Sequence, residues 1–130
     1  MFIKILKNKY LMISFGAVFG AIFSWKIDDI FIVNILGCFI LGCLSELKVS
    51  KNIKLLIGFG FSGSLTSFSS WISKLFFIFQ DGFYIKFILN IFSFLLLGYL
   101  MFFIGKICGK TQAIKSVSYT HLRAHETPAN

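Results

Sequence analysis

Gly60-Phe61-Ser62-Gly63-Ser64-Leu65-Thr66-Ser67-Phe68-Ser69-Ser70-Trp71 sets two glycines and six hydroxyls in the middle of an otherwise apolar, membrane-length segment. In hydrocarbon every backbone N–H and C=O needs a partner, so a break of this kind survives only where protein or a water-lined cavity surrounds it. The stretch therefore predicts a third membrane helix that opens at mid-membrane, and it marks a candidate ion site.

The rest of the chain supports a membrane setting. It is 57% hydrophobic with 18 Phe in 130 residues, and its mean hydropathy is +0.84. Ordinary soluble domains are far less apolar. Charge-poor stretches run over residues 10–25, 30–45, 55–73 and 87–105, which predicts an all-α membrane protein of four transmembrane helices. At 16 residues, each of the first two spans reaches only about 24 Å against a hydrocarbon core of roughly 30 Å, so flanking lysines must snorkel or the helices extend past them. The first segment competes with a signal-peptide reading, because Lys4, Lys7 and Lys9 precede an apolar run. Three further spans and no A-x-A-like cleavage site favour a retained helix.

The net charge of +8 raises nucleic acid as a partner, but the lysines sit at helix ends, where basic residues face anionic headgroups. Nine of them (Lys4, Lys7, Lys9, Lys48, Lys51, Lys54, Lys106, Lys110, Lys115) fall on one side of the four-span topology and three (Lys26, Lys74, Lys86) on the other. The positive-inside rule then puts both termini in the cytoplasm. Cys38, Cys43 and Cys108 lie within or just after spans, without the spacing of a secreted disulfide framework or a metal site.

Residues 117–130 are unlike the remainder. The sole Arg (Arg123), the sole Pro (Pro128) and both His (His121, His125) cluster there, whereas residues 1–116 use Lys, Ile, Phe and Asn as an AT-rich genome does. The stretch 117–127 resembles the conceptual translation of a transposase-end sequencing adapter. The domain expectation is a membrane unit over residues 1–116 followed by a non-native tail.

Several motifs have both structural and functional readings. Gly58-x-Gly60-x-x-Gly63 matches the dinucleotide fingerprint in letters alone, since that motif needs a preceding strand and a βαβ unit. Gly16-x-x-x-Gly20 is a small-residue stripe that lets helices approach closely. Asn34, a carboxamide among Ile, Val and Leu, either bonds another helix or lines a polar path. Asn90 and Ser93 divide the same way. Phe68 and Trp71, three apart on one helical face, read as bulk or as a lined path.

Three regions carry a resemblance: Gly16 through Trp25, Asn34-Ile35-Leu36-Gly37-Cys38-Phe39-Ile40-Leu41-Gly42, and Gly60 through Trp71. In order and spacing they resemble the signature regions of the small four-helix fluoride channels, the Fluc or CrcB family, over roughly residues 11–110. The third is the most specific. It keeps Gly60, Phe61, Gly63, Thr66, Phe68 and Ser69 of a family pattern that reads approximately G-F-x-G-G-x-T-T-F-S-T-F.

The resemblance implies an antiparallel dimer with a broken third helix, two narrow pores and a central structural Na⁺ held by backbone carbonyls. Carried over, those carbonyls belong to Gly63 and Thr66 of both subunits, and oxygen ligands suit a hard cation. It also implies that fluoride passes Asn34, Phe68, Trp71 and Ser93, where amide and hydroxyl donors and electropositive ring edges replace its water. Gly16, Gly20, Gly37 and Gly42 become helix-packing positions. The implied function is passive export of fluoride from the cytoplasm across the bacterial inner membrane, with the lipid bilayer as surroundings, no catalytic residue and no nucleic acid.

Departures from the pattern bear on partnering. Ser24 stands where the family usually has Arg, Trp71 where it has a second Phe, Lys74 where it has Glu, and Leu89 where a Tyr is common. Together with the lysine asymmetry, these losses predict pairing with a second, oppositely oriented homologue as an alternative to a homodimer. A non-conducting assembly subunit shows the same losses. A small multidrug-type exporter needs a carboxylate buried in a span, and none of the four spans has one. Without residues 117–130 no Ser-His-Asp, Cys-His or paired-carboxylate set exists for an enzyme.

Overall fold

The computed structural model describes the backbone of residues 8–125 and the side chains as far as residue 113. Lys4, Lys7 and the last five residues of the 117–130 stretch lie outside that range. The described chain is helical throughout, with no strand among the described residues.

Helix α1 spans Lys9–Ile27 and starts where the Asn8 side chain accepts the Tyr10 N–H at 3.0 Å. It ends at Asp28, which adopts φ 50 and turns the chain within two residues into α2, Ile30–Glu46. Asp29 caps α2 by accepting from Phe31 and Ile32 at 2.8 and 3.2 Å. Helix α3 occupies residues 51–65 in three stretches: Lys51–Ile53, a wide π-helical run Lys54–Ser62, and a last turn Gly63–Leu65. Thr66 (φ −85, ψ 141) and Ser67 (φ −135, ψ 102) are extended, and α4 resumes over Phe68–Gln80. A short turn at Gly82 leads into α5, Tyr84–His125.

Among the described residues, three segments are long and apolar enough to cross a membrane: Lys9–Ile27, Lys51–Gln80 and Tyr84–Ala113. Ile30–Glu46 is apolar but shorter, at 17 residues. The interruption falls at the centre of Lys51–Gln80, so the expected break in the third segment is present. Its position is narrower than the run that predicted it. Gly63 keeps ordinary helical angles (φ −64, ψ −35), and the opening comes one turn later, at the hydroxyl pair Thr66–Ser67.

A second difference concerns Lys74. Counted by composition it belongs to the loop after a span ending at residue 73, but α4 continues to Gln80 and carries Lys74 within it. Apolar neighbours on both sides keep the helix going, and a single charge does not stop it. The fourth span is likewise longer than residues 87–105 at both ends.

Two close helix pairs organise the packing. In the first, α1 lies against α3: a Cβ at Gly16 would collide with the Leu56 carbonyl, and one at Gly20 with the Phe61 carbonyl and Ser64 Oγ. Ser64 Oγ also donates to the Ala17 carbonyl at 2.8 Å across this interface. In the second, α2 lies against α5, where Gly42 meets the Phe102 carbonyl and Gly105 meets that of Phe39. Backbones this close replace side-chain interdigitation with main-chain packing, as lipid-embedded helices commonly do. An ion pair, Lys106 Nζ to Glu46 Oε1 at 3.4 Å, joins the same two helices. Met12, Val33, Leu44, Leu65, Trp71 and Leu75 are the buried apolar side chains, while most Phe and Leu face outward. Such an apolar exterior is stable in hydrocarbon, not in water.

Candidate ion site at the helix break

The opening at Thr66–Ser67 is held by side chains that replace the missing helical bonds. In an unbroken helix the Ser67 N–H would reach the Gly63 carbonyl; instead it donates to Asn34 Oδ1 at 3.1 Å. The Ser70 N–H would reach the Thr66 carbonyl; instead it donates to Ser67 Oγ at 3.3 Å. The carbonyls of Gly63 and Thr66 thus lose their helical amide partners.

Asn34 is buried and uses both ends of its carboxamide. Its Nδ2 donates to the Ile30 carbonyl at 2.6 Å on its own helix while Oδ1 takes the Ser67 N–H. One Nδ2 hydrogen remains for a further acceptor. Gly37, one turn on, leaves the space filled by the Thr66 methyl, which a Cβ would strike.

Around the break lie hydroxyls in several states. Ser67 Oγ donates to Ser70 Oγ at 2.8 Å and lies 3.4 Å from Ser69 Oγ. Thr66 Oγ1 donates to the Ser62 carbonyl at 3.1 Å, so its proton is engaged within its own turn. Ser62 is fully buried, and its Oγ has no hydrogen-bond partner. Motif reading passed over Ser62. Its one sequence signal is a hydroxyl directly before Gly63 in a segment otherwise facing hydrocarbon.

Phe68 and Trp71 stand on the first turn after the break with ring centroids 5.6 Å apart. Phe68 is 69% exposed while Trp71 is buried. Trp71 stacks on Phe94 at 4.1 Å and 14°, and Phe94 in turn meets Phe31 edge-on at 5.7 Å. The four rings form a continuous aromatic track from α4 across α5 to the start of α2. An apolar groove of about 620 Å³, lined in part by Phe68, Trp71, Phe76 and Phe87, opens beside it.

Asn34, Thr66, Phe68 and Trp71 therefore gather at one place. Ser93 does not join them within this chain: it is exposed on α5 and donates to the Asn90 carbonyl at 3.2 Å, and its neighbour Phe94 supplies the contact with Trp71. No cluster of three His, Cys, Asp or Glu side chains exists among the described residues. The carbonyls of Gly63 and Thr66 are among the backbone oxygens that the break leaves without a helical amide partner.

Residues 11–106 match the family model described as CrcB-like protein, Camphor Resistance (CrcB). The chain belongs to the CrcB-like family. It is 46% identical over 108 residues to a Prochlorococcus marinus (strain NATL2A) protein named Fluoride-specific ion channel FluC 1, covering 83% of this chain and 95% of that relative. It is 30% identical over 110 residues to Fluoride-specific ion channel FluC 2 of Clostridium acetobutylicum, covering 75% and 94%. Identity is 33% over 119 residues to Fluoride-specific ion channel FluC of Methanococcus aeolicus, covering 80% and 97%. No solved structure matches the chain. Within this CrcB-like protein the family match spans both close-packed helix pairs and the whole of the break.

Proposed function

We propose that this chain is a subunit of a fluoride-specific channel that passively exports fluoride from the cytoplasm across the bacterial inner membrane. The observation that carries the proposal is the aromatic pair Phe68–Trp71 set directly after an open helical turn whose amide is held by Asn34. Relatives named as fluoride-specific channels, aligned over nearly their full lengths, support the same reading.

Fluoride is small and strongly hydrated, so a selective path must offer several close donors. The remaining Nδ2 hydrogen of Asn34, the Ser62 hydroxyl, the Ser67–Ser70 hydroxyl cluster and the edges of Phe68 and Trp71 are such donors. Ser93 contributes in the assembled channel, where the neighbouring subunit completes the wall. Nothing in the process needs bond chemistry, so the protein is a channel and not an enzyme.

The assembly is an antiparallel dimer in which Ile30–Glu46 counts as a fourth span and both termini are cytoplasmic. Gly63 and Thr66 carbonyls from two subunits would hold a Na⁺, which when bound supplies fixed positive charge near an anion path. Loop lysines support a fixed orientation: with Lys74 inside α4, nine lie on one side and two on the other. A chain of fixed orientation requires an oppositely inserted homologue, so the pairing we propose is heteromeric.

Fluoride efflux from liposomes, with and without a coexpressed homologue, tests the reading. Efflux above protein-free liposomes is expected, largest with the homologue. No efflux in either preparation rejects the channel assignment. Tags at both termini test orientation, and equal inside and outside populations reject the fixed topology.

A further inference from the structure

Cys43 and Cys108 lie on the two helices of the α2–α5 pair, where their backbones approach most closely. Gly105 and Gly109 of α5 bracket Cys43: a Cβ at Gly105 would lie 3.1 Å from the Cys43 amide nitrogen, and one at Gly109 would collide with the Cys43 carbonyl and lie 3.1 Å from its Cα. Cys108 is the residue directly before Gly109. A disulfide needs Cα atoms about 4.4–6.8 Å apart, whereas packed helices commonly keep their axes about 8–10 Å apart. Two glycines one turn apart remove that spacing at Cys43. The charge of an ionised Cys108 is felt at Cys43, so the two sulfurs as well as the two backbones are neighbours.

Both thiols are free, Cys43 half-buried and Cys108 exposed. Cys38 is set apart from them, five residues earlier on α2 and packed towards Gly98. Among the described residues no third His, Cys, Asp or Glu joins the pair, so a closed zinc-type site would lack ligands. The Lys106–Glu46 ion pair lies within a turn of each thiol. Paired charges of this kind belong at the headgroup level and not in hydrocarbon, which puts both sulfurs where water-soluble reagents arrive.

We propose that Cys43 and Cys108 are a peroxide-reactive dithiol that closes into a reversible disulfide bridging α2 and α5. The Cys108 thiolate attacks one peroxide oxygen, the O–O bond breaks and hydroxide leaves, to become water with the proton that Cys108 released. The Cys43 sulfur then attacks the sulfenic sulfur, the S–S bond forms, and the sulfenic oxygen leaves as water with the Cys43 proton. Two thiols and one hydrogen peroxide thus give one disulfide and two waters, with sulfur oxidised and peroxide oxygen reduced. In a reducing compartment such a bond is transient, so the pair responds to oxidant at the lysine-rich membrane face and is not a permanent staple. When closed, it ties the helix that carries Asn34 to the helix that carries Phe94. This chemistry is independent of the fluoride-channel reading.

The methionines are Met1, Met12 and Met101, so cyanogen bromide cleavage at Met101 separates Cys43 from Cys108 unless a bond joins them. The full-length protein in liposomes is treated with hydrogen peroxide, its remaining thiols are blocked with N-ethylmaleimide, and the single chain is isolated by non-reducing electrophoresis before cleavage. Fragments 13–101 and 102–130 are expected to stay joined until dithiothreitol is added. Cys38→Ser should leave them joined, while Cys43→Ser and Cys108→Ser should each let them part. Fragments that separate without reductant in the oxidised wild type, that stay joined in Cys43→Ser, or that are joined only in cross-linked pairs of chains overturn the proposal.

Discussion

The side-chain oxygen of Asn34 takes the backbone N–H of Ser67 at 3.1 Å, across 33 residues of sequence, and so holds the third membrane segment open. One buried carboxamide thereby satisfies an amide that a continuous helix would have satisfied itself, and the Gly63 carbonyl is the group left over.

Replacing Asn34 should separate its two duties. Asn34→Leu strands the Ser67 N–H and is expected to destabilise the folded protein by about 1–3 kcal/mol, read as a lower melting temperature in detergent, with fluoride efflux lost. Asn34→Asp keeps the acceptor and is expected to recover much of the melting temperature while efflux stays low. Equal melting of wild type and Asn34→Leu would show that the bond does not hold the break.

Phe68→Ile should abolish fluoride efflux while leaving assembly intact. Phe68 is 69% exposed within the chain, so its removal leaves no cavity in the subunit. Normal efflux, with an unchanged size-exclusion profile, would remove Phe68 from the pathway.

At Gly20 an added side chain has nowhere to go, because the Phe61 carbonyl and Ser64 Oγ already fill the space, whereas a Cβ at Gly63 meets nothing within 4 Å. Gly20→Val is expected to cost at least about 1–3 kcal/mol through overpacking, visible as poor yield or a depressed melting temperature. Gly63→Ala should fold normally, since its angles are ordinary helical ones. Comparable behaviour of the two variants would refute the close α1–α3 packing.

Exchange of Na⁺ for N-methylglucamine is expected to lower the melting temperature of the purified protein, and added Na⁺ to restore it. A ligand at about 100 times its Kd stabilises by about 2.7 kcal/mol. A melting temperature indifferent to Na⁺ would leave the Gly63 and Thr66 carbonyls without a cation role.

Much of this arrangement is legible in one dimension. Apolar stretches separated by lysines announce membrane helices, and the small residues Gly16 and Gly20 announce a close helix contact, because both signals depend on composition and local period. The glycine and hydroxyl run announces a break without fixing the residue at which it opens: Gly63 tolerates helix, and it is Asn34, distant in sequence, that takes the Ser67 N–H. The Trp71–Phe94 stack and the unpaired Ser62 hydroxyl have no local signature, since each depends on which helix lies opposite. Lys74 reads as a loop residue because a charge ends an apolar window on paper. In space a helix ends only when its backbone bonds end.

The amino-acid order by itself determined the helical membrane class, the family and the segment that opens, for hydrocarbon penalises unpaired peptide groups wherever they occur. Tertiary structure alone decided which amide Asn34 captures, which carbonyls are bared, which ring Trp71 rests on and where Lys74 lies. Those outcomes follow from side chains brought within about 3–4 Å by packing of separate helices, a distance that sequence separation does not encode.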